Sequence, residues 1–199
     1  MQTQFLHKLS TQSSRVMLLL RPQMLRMPLP MKRHDDPFFP FGKAIIDATR
    51  DLVGGYMFDL AAYMRWGAAG AIALERTISY TLGEPLTVLH GPFTGAGYAE
   101  ITDENAFGVD ALTVTALDAA YLARPDRSVL VMGAELPAAA GVGCYDEAQG
   151  IILIQHDPVI RLAVLGDEII YASAGDDYAT KAREVLEAHI KGTPSESAL

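Results

Sequence analysis

Residues 86–100 read LTVLHGPFTGAGYAE: an apolar run closed by His90 and followed by a turn of Gly91, Pro92, Gly95 and Gly97. A strand end of this kind is where α/β enzymes mount catalytic groups, and an imidazole there can move a proton near neutral pH. Asp59 closes the run GYMFD and Glu135 follows SVLVMGA, so either could serve His90 as acid–base partner. The competing reading packs His90 under the following loop, bonded to backbone. GAG at 95–97 lacks a following Lys-Ser/Thr and reads as a turn rather than a phosphate cradle. His156-Asp157 has no third ligand at metal spacing, so Asp157 before Pro158 reads as a helix N-cap, and Asp176-Asp177 reads the same way. No metal and no cofactor is expected. Cys144 is the single cysteine, has no nearby histidine, and reads as a half-buried structural thiol.

The elements that must position these groups follow from composition and periodicity. The chain has 199 residues, half of them hydrophobic and a fifth charged, which suits one domain (1–199) with a sizeable core. A net charge of -8 argues against nucleic acid. The basic residues among the first 33, from Lys8 to Arg33, read as the solvated ends of an irregular segment, 1–40, that carries the first strand. The only N-terminal apolar run, Val16–Leu20, is too short for a signal core or a membrane span. With the lone cysteine, this gives a soluble, cytoplasmic expectation. Apolar runs at Val16–Leu20, Gly55–Leu60, Leu86–His90, Asp110–Thr115, Ser128–Gly133, Gly150–Gln155 and Glu168–Ala172 read as strands. Helical periodicity marks Lys43–Val53, Ala68–Thr81 and Asp176–Ile190. Tyr56, Phe58, Tyr63 and Trp66 crowd the second strand end as core or interface. Residues 192–199 form a polar tail expected to fray.

Strands alternating with helices predict a parallel sheet, open or closed into a barrel. Seven countable strands are one fewer than a full eightfold barrel needs, and only residues 156–167 separate the last two, room for one short crossover helix.

The stretch FGKAIIDATRDLVGGYMFDLAAYMRWGAAGAIALERTISY, residues 41–80, resembles the second subfamily of orotidine 5′-phosphate decarboxylases, with Tyr56, Gly67, Ala68, Gly70 and Leu74–Ile78 fitting its strand–turn–helix run. The similarity continues through GVDALTVTA, DRSVLVM and IIYASAGDDYATKARE. The resemblance implies a parallel (β/α) barrel of the TIM type, here shortened by about one strand–helix unit after Gln155. It also implies a charged array, a lysine ending the second strand and an Asp-x-Lys-x-x-Asp motif ending the third. Against that pattern the lysine position is Met57, and the motif positions are His90, Pro92 and Gly95. An Asp-Pro after the first strand stands as Arg21-Pro22, a pyrimidine-contacting serine falls near Leu136, and the phosphate-gripping arginine falls at Asp167 or Glu168. Proline cannot stabilise or protonate a carbanion, and an acid repels a phosphate dianion.

Three readings follow. In the first, the chain is a catalytically inactive relative acting as scaffold or partner subunit. It would form a homodimer, or pair with a related barrel, through Phe93 and Tyr98 on the loop 91–100. In the second, altered chemistry on a non-phosphorylated small molecule uses His90. In the third, the chain decarboxylates orotidine 5′-phosphate.

Overall fold

In this computed structural model, residues 3–81, 83, 85–93, 95–103, 105–122, 128–137 and 142–192 are described. The chain opens with helix α1 (Thr3–Thr11) and strand β1 (Val16–Leu20). Residues 1–40 are therefore not irregular around a lone strand: Phe5 and Leu9, one turn apart, give α1 an apolar stripe that is buried. Two 3₁₀ turns, Met24–Arg26 and Met31–Arg33, lead to α2 (Phe38–Thr49), β2 (Gly55–Asp59), α3 (Leu60–Met64) and α4 (Gly67–Thr81). Then come β3 (Leu86–Phe93), a 3₁₀ segment (Ala96–Thr102), β4 (Ala111–Val114), α5 (Ala119–Leu122) and β5 (Ser128–Met132).

The remainder departs from the expected pattern. The chain continues through β6 (Val142–Asp146), β7 (Ile151–Ile154) and β8 (Ile160–Leu165), then α6 (Asp167–Ile170) and α7 (Tyr178–Gly192). Two strands are gained over the sequence reading. β6 is masked by its glycine and polar neighbours, and β8 lies inside 156–167, where a crossover helix was expected. One strand is lost: Glu168–Ala172 begins as helix α6, since Asp167 and Glu168 sit at its positive end and the Glu168 carboxylate accepts from Gly166 N at 3.0 Å. Asp157 caps no helix, because the element that follows it is strand β8. Most of the expected tail lies outside the described residues.

The eight strands close into a barrel in sequence order. Strands β1 to β6 run parallel and β8 pairs parallel with β1, but β7 is antiparallel to both β6 and β8. The ring is thus complete in strands, not gapped after Gln155. What is shortened is the connection: a parallel strand needs a crossover of a dozen or more residues, while an antiparallel one needs only a hairpin. Gly143 allows that hairpin to close, since a Cβ there would stand 2.7 Å from both Leu153 O and the Leu130 side chain.

Period-2 alternation divides the strands between two cores. Inward-facing Met17, Leu19, Met57, Val88, Leu130, Ile152 and Leu162 fill the barrel together with Phe5 and Leu9 of α1. The helix is anchored by Lys8 Nζ, 2.9 Å from an oxygen of Asp110, whose carboxylate also accepts from Thr87 N and Thr87 Oγ1 at 2.9 Å. Outward-facing Leu18, Leu20, Tyr56, Phe58 and Leu89 pack under the helices with Phe41, Ile45, Leu74 and Leu186. The interior is apolar throughout its depth, so polar chemistry is confined to the rim.

Leu9→Ala should cost about 2–4 kcal/mol of stability in urea denaturation, the cost of a core truncation. A loss within ~0.5 kcal/mol, as at an exposed position, would show that α1 does not plug the barrel.

Candidate functional site

The C-terminal strand ends bring Arg21, Asp59, His90, Thr113, Tyr145 and Glu147 together. Asp59 and His90 are direct neighbours across β2 and β3. Beyond Leu89 the β3–β4 register slips, so that Leu89 faces Leu112 but Phe93 faces Val114. This bulge re-aims the end of β3. Gly91 gives the Phe93 ring its room there, because a Cβ would lie 2.9 Å from that ring and force it to shift. Thr113 Oγ1 pins the bulge, accepting from Gly91 N at 2.9 Å and donating to Gly91 O at 2.8 Å.

That network assigns the tautomer of His90. Its Nδ1 lies 3.1 Å from Thr113 Oγ1. A hydroxyl has one proton, here given to Gly91 O, so Nδ1–H must donate and Nε2 carries the lone pair. His90 is buried, and burial lowers its pKa below 6.5, against the opposing pull of Asp59 and Glu147. The imidazole is therefore neutral at pH 7. Its ring stands edge-on to Tyr145, with centroids 5.3 Å apart. Burial, with Glu147 second, pushes the Tyr145 phenol up to about 12, so it too is neutral.

The charges around this pair cancel. Arg21 Nε donates to Asp59 Oδ2 at 2.6 Å and Arg21 Nη2 to Glu147 Oε1 at 3.3 Å. Asp59 Oδ1 is taken by Ala62 N at 2.9 Å as the cap of α3, so both carboxylate oxygens are engaged. Burial lowers the Arg21 pKa, but Asp59 and the other acids outweigh it and the value is raised. The loop after β1 is held by Tyr171, whose hydroxyl accepts from Gln23 N at 2.6 Å and donates to Arg21 O at 3.1 Å.

The expected site residues are only partly assembled here. His90 and Asp59 meet, whereas Glu135 is exposed on the loop after β5 and Leu136 is half-buried beside it. Met57 is sealed in the barrel interior. Pro92 lies within β3, and Gly95 on the next loop accepts from the Tyr121 hydroxyl at 2.7 Å. Asp167 is occupied by Arg26 at 2.6 Å and by Gln23 at 2.7 Å. Of the two expected interface aromatics, Phe93 belongs to the core and Tyr98 is 52 % exposed, with ring centroids 5.5 Å apart. Cys144 is fully rather than half buried, and burial raises its pKa. Glu147 and Tyr145 were not foreseen. The turn signal DEAQG before GIILI could have revealed the hairpin that carries Glu147. Among the described residues there is no cluster of three or more metal-ligating side chains, and no helix is long and apolar enough to cross a membrane.

No family model matches the chain. It is 36% identical over 124 residues to the orotidine 5′-phosphate decarboxylase of Thermomicrobium roseum, covering 57% of this chain and 43% of that one. To the enzyme of the same name from Flavobacterium johnsoniae it is 38% identical over 81 residues, covering 40% of this chain and 30% of that one. The chain is a relative of the orotidine 5′-phosphate decarboxylases. It spans less than half the length of these curated relatives. The solved structure of Leishmania donovani OMP decarboxylase shares the barrel, with a TM-score of 0.68 at 14% identity over 96% of this chain and 98% of that one. Leishmania donovani UMP synthase matches with a TM-score of 0.53 at 17% identity, covering 67% of this chain and 30% of that one.

The pH response of His90 follows from the direction of its shift. The folded-state pKa lies below the unfolded value, so the unfolded chain binds the proton first as pH falls. Stability is unaffected well above 6.5 and declines as pH falls through 6.5 toward the folded value. His90→Gln should therefore lose less stability than the wild type between about pH 7.5 and pH 5.5. Equal losses in urea titrations would show that His90 carries no such penalty.

Proposed function

We propose that this chain is an orotidine 5′-phosphate decarboxylase-like barrel that does not decarboxylate the nucleotide and serves as a scaffold or partner subunit. The observation that carries the reading is Arg21, held by Asp59 at 2.6 Å and by Glu147 at 3.3 Å at the strand ends. That pairing uses the acid beside His90 for structure rather than chemistry. Two further positions support it. Met57 stands where the resemblance places the second-strand lysine, and its side chain lies in the apolar interior. Asp167, at or beside the position the resemblance gives to a phosphate-gripping arginine, brings a negative charge already satisfied by Arg26. Among the described residues, a phosphate dianion would meet Asp167, Glu147 and Asp59 with Arg21 and Arg26, both already paired, to offset them.

Tyr98 supports an association surface. It is exposed on a loop tied to α5 by the Tyr121–Gly95 bond, and an ordered, exposed aromatic is a usual interface anchor. A two-fold dimer of this chain is the partner we propose, with a related barrel as the alternative.

Purified protein should release no carbon dioxide from orotidine 5′-phosphate. It should also show no melting shift with millimolar uridine monophosphate, although a ligand at 100 times its dissociation constant would add about 2.7 kcal/mol. Turnover or a clear shift would overturn the reading.

Tyr98→Asp should move the protein toward monomer in sedimentation velocity without loss of stability. Phe93→Asp cannot serve as this test, since its ring is core. A wild type that sediments as a monomer at high concentration would remove the homodimer.

A further inference from the structure

Two polar groups at the strand ends are buried and yet not satisfied by the protein. Tyr145 is 2 % exposed and His90 is 6 % exposed. Among the described residues the Tyr145 hydroxyl has no hydrogen-bond partner, and His90 Nε2 stands 3.8 Å from Glu147 Oε1, beyond hydrogen-bond reach. No fully enclosed side-chain nitrogen or oxygen lacks a partner, so both groups reach solvent at the mouth. Their rings are in edge-on contact, and both groups feel the charges of Glu147, Arg21 and Asp59.

The lining defines what could sit there. His90 Nε2 offers a lone pair and Glu147 a carboxylate, two acceptors facing each other across a gap that only a donor can bridge. The phenol of Tyr145 can give or take a hydrogen bond, and Arg21 supplies N–H donors beside it. Asp59 and Glu147 outnumber Arg21 by one negative charge, which disfavours an anion. Arg21 lies between the two acids and spends their charge, which leaves little to hold a cation. A hydroxyl group both donates and accepts without bringing charge, and neighbouring hydroxyls would match the alternation of acceptor, phenol and guanidinium.

We propose that the barrel mouth binds a small uncharged polyhydroxy compound, whose hydroxyls bridge His90 Nε2, the Tyr145 phenol and the Glu147 carboxylate. This site is independent of the scaffold reading, because it requires neither turnover nor a partner chain.

The test is titration of the full chain with glycerol, erythritol and D-xylose, and separately with inorganic phosphate and methylammonium. The readout is the imidazole ¹⁵N resonance of His90. The uncharged polyols should shift it saturably, and the two ions should not. Tyr145→Phe keeps the ring and its packing but removes the hydroxyl, so it should weaken polyol binding by roughly fivefold or more at unchanged melting temperature. Glu147→Gln, on the exposed hairpin, is a second variant that leaves the core intact and should weaken binding as well. The proposal is overturned if no polyol gives a saturable shift, if phosphate or methylammonium shifts His90 more than the polyols do, or if Tyr145→Phe and Glu147→Gln both bind as the wild type does. Decarboxylation of orotidine 5′-phosphate, should it occur, would refute the scaffold reading and leave this result to stand or fall separately.

Discussion

Closure of the strand ring is the constraint on which the rest of this structure depends. An open parallel sheet exposes unpaired backbone groups at two edges, and a barrel removes them only if every strand finds two neighbours. Between Asp146 and Ile160 the chain is too short for two helical crossovers, so it closes the ring with one antiparallel strand. β7 bonds to β6 on one side and to β8 on the other, and β8 returns parallel to β1. The interior pattern survives because alternation is a property of the strand and not of its direction. Ile152 and Ile154 still face the barrel core.

The same shortcut shapes the mouth. A hairpin joining β6 to β7 sits at the C-terminal strand ends, where a helical crossover would have begun with a longer loop. Glu147 stands on that hairpin and therefore reaches Arg21 and approaches His90. The economy of the connection and the composition of the candidate site are thus one fact. Arg21 is the group that reconciles them: without a cation, Asp59 and Glu147 would be two carboxylates beside a neutral imidazole, with nothing to offset their repulsion.

At the opposite end, α1 closes the barrel with Phe5 and Leu9, and the Lys8–Asp110 pair ties the helix to β3 and β4 through Thr87. The bottom of the barrel is consequently sealed by apolar packing and one satisfied ion pair. The top carries polar groups that the protein does not fully satisfy.

The sequence by itself determined the parallel strands β1 to β5, the helices α2, α4 and α7, and the kinship. Each rests on a local pattern: an apolar run, a 3.6-residue stripe, or an unbroken similarity such as residues 41–80. It also placed Asp59 and His90 at strand ends, where the register makes them neighbours. Only the tertiary structure decided the rest. Strand direction is invisible to hydrophobic alternation, so the antiparallel β7 could not be read from GIILIQ. β6 carries a glycine and a polar end, and β8, although apolar, lies in a segment whose place between two apolar runs suggests a crossover helix. Phe93 looked like an exposed anchor because a loop was expected around it, and a register bulge turned it into the core. Glu147 came to the site, and Glu135 did not, through the geometry of a hairpin that brings residues 21 and 147 within one salt bridge. Contacts across such separations belong to the fold, and a linear sequence carries no local signal for them.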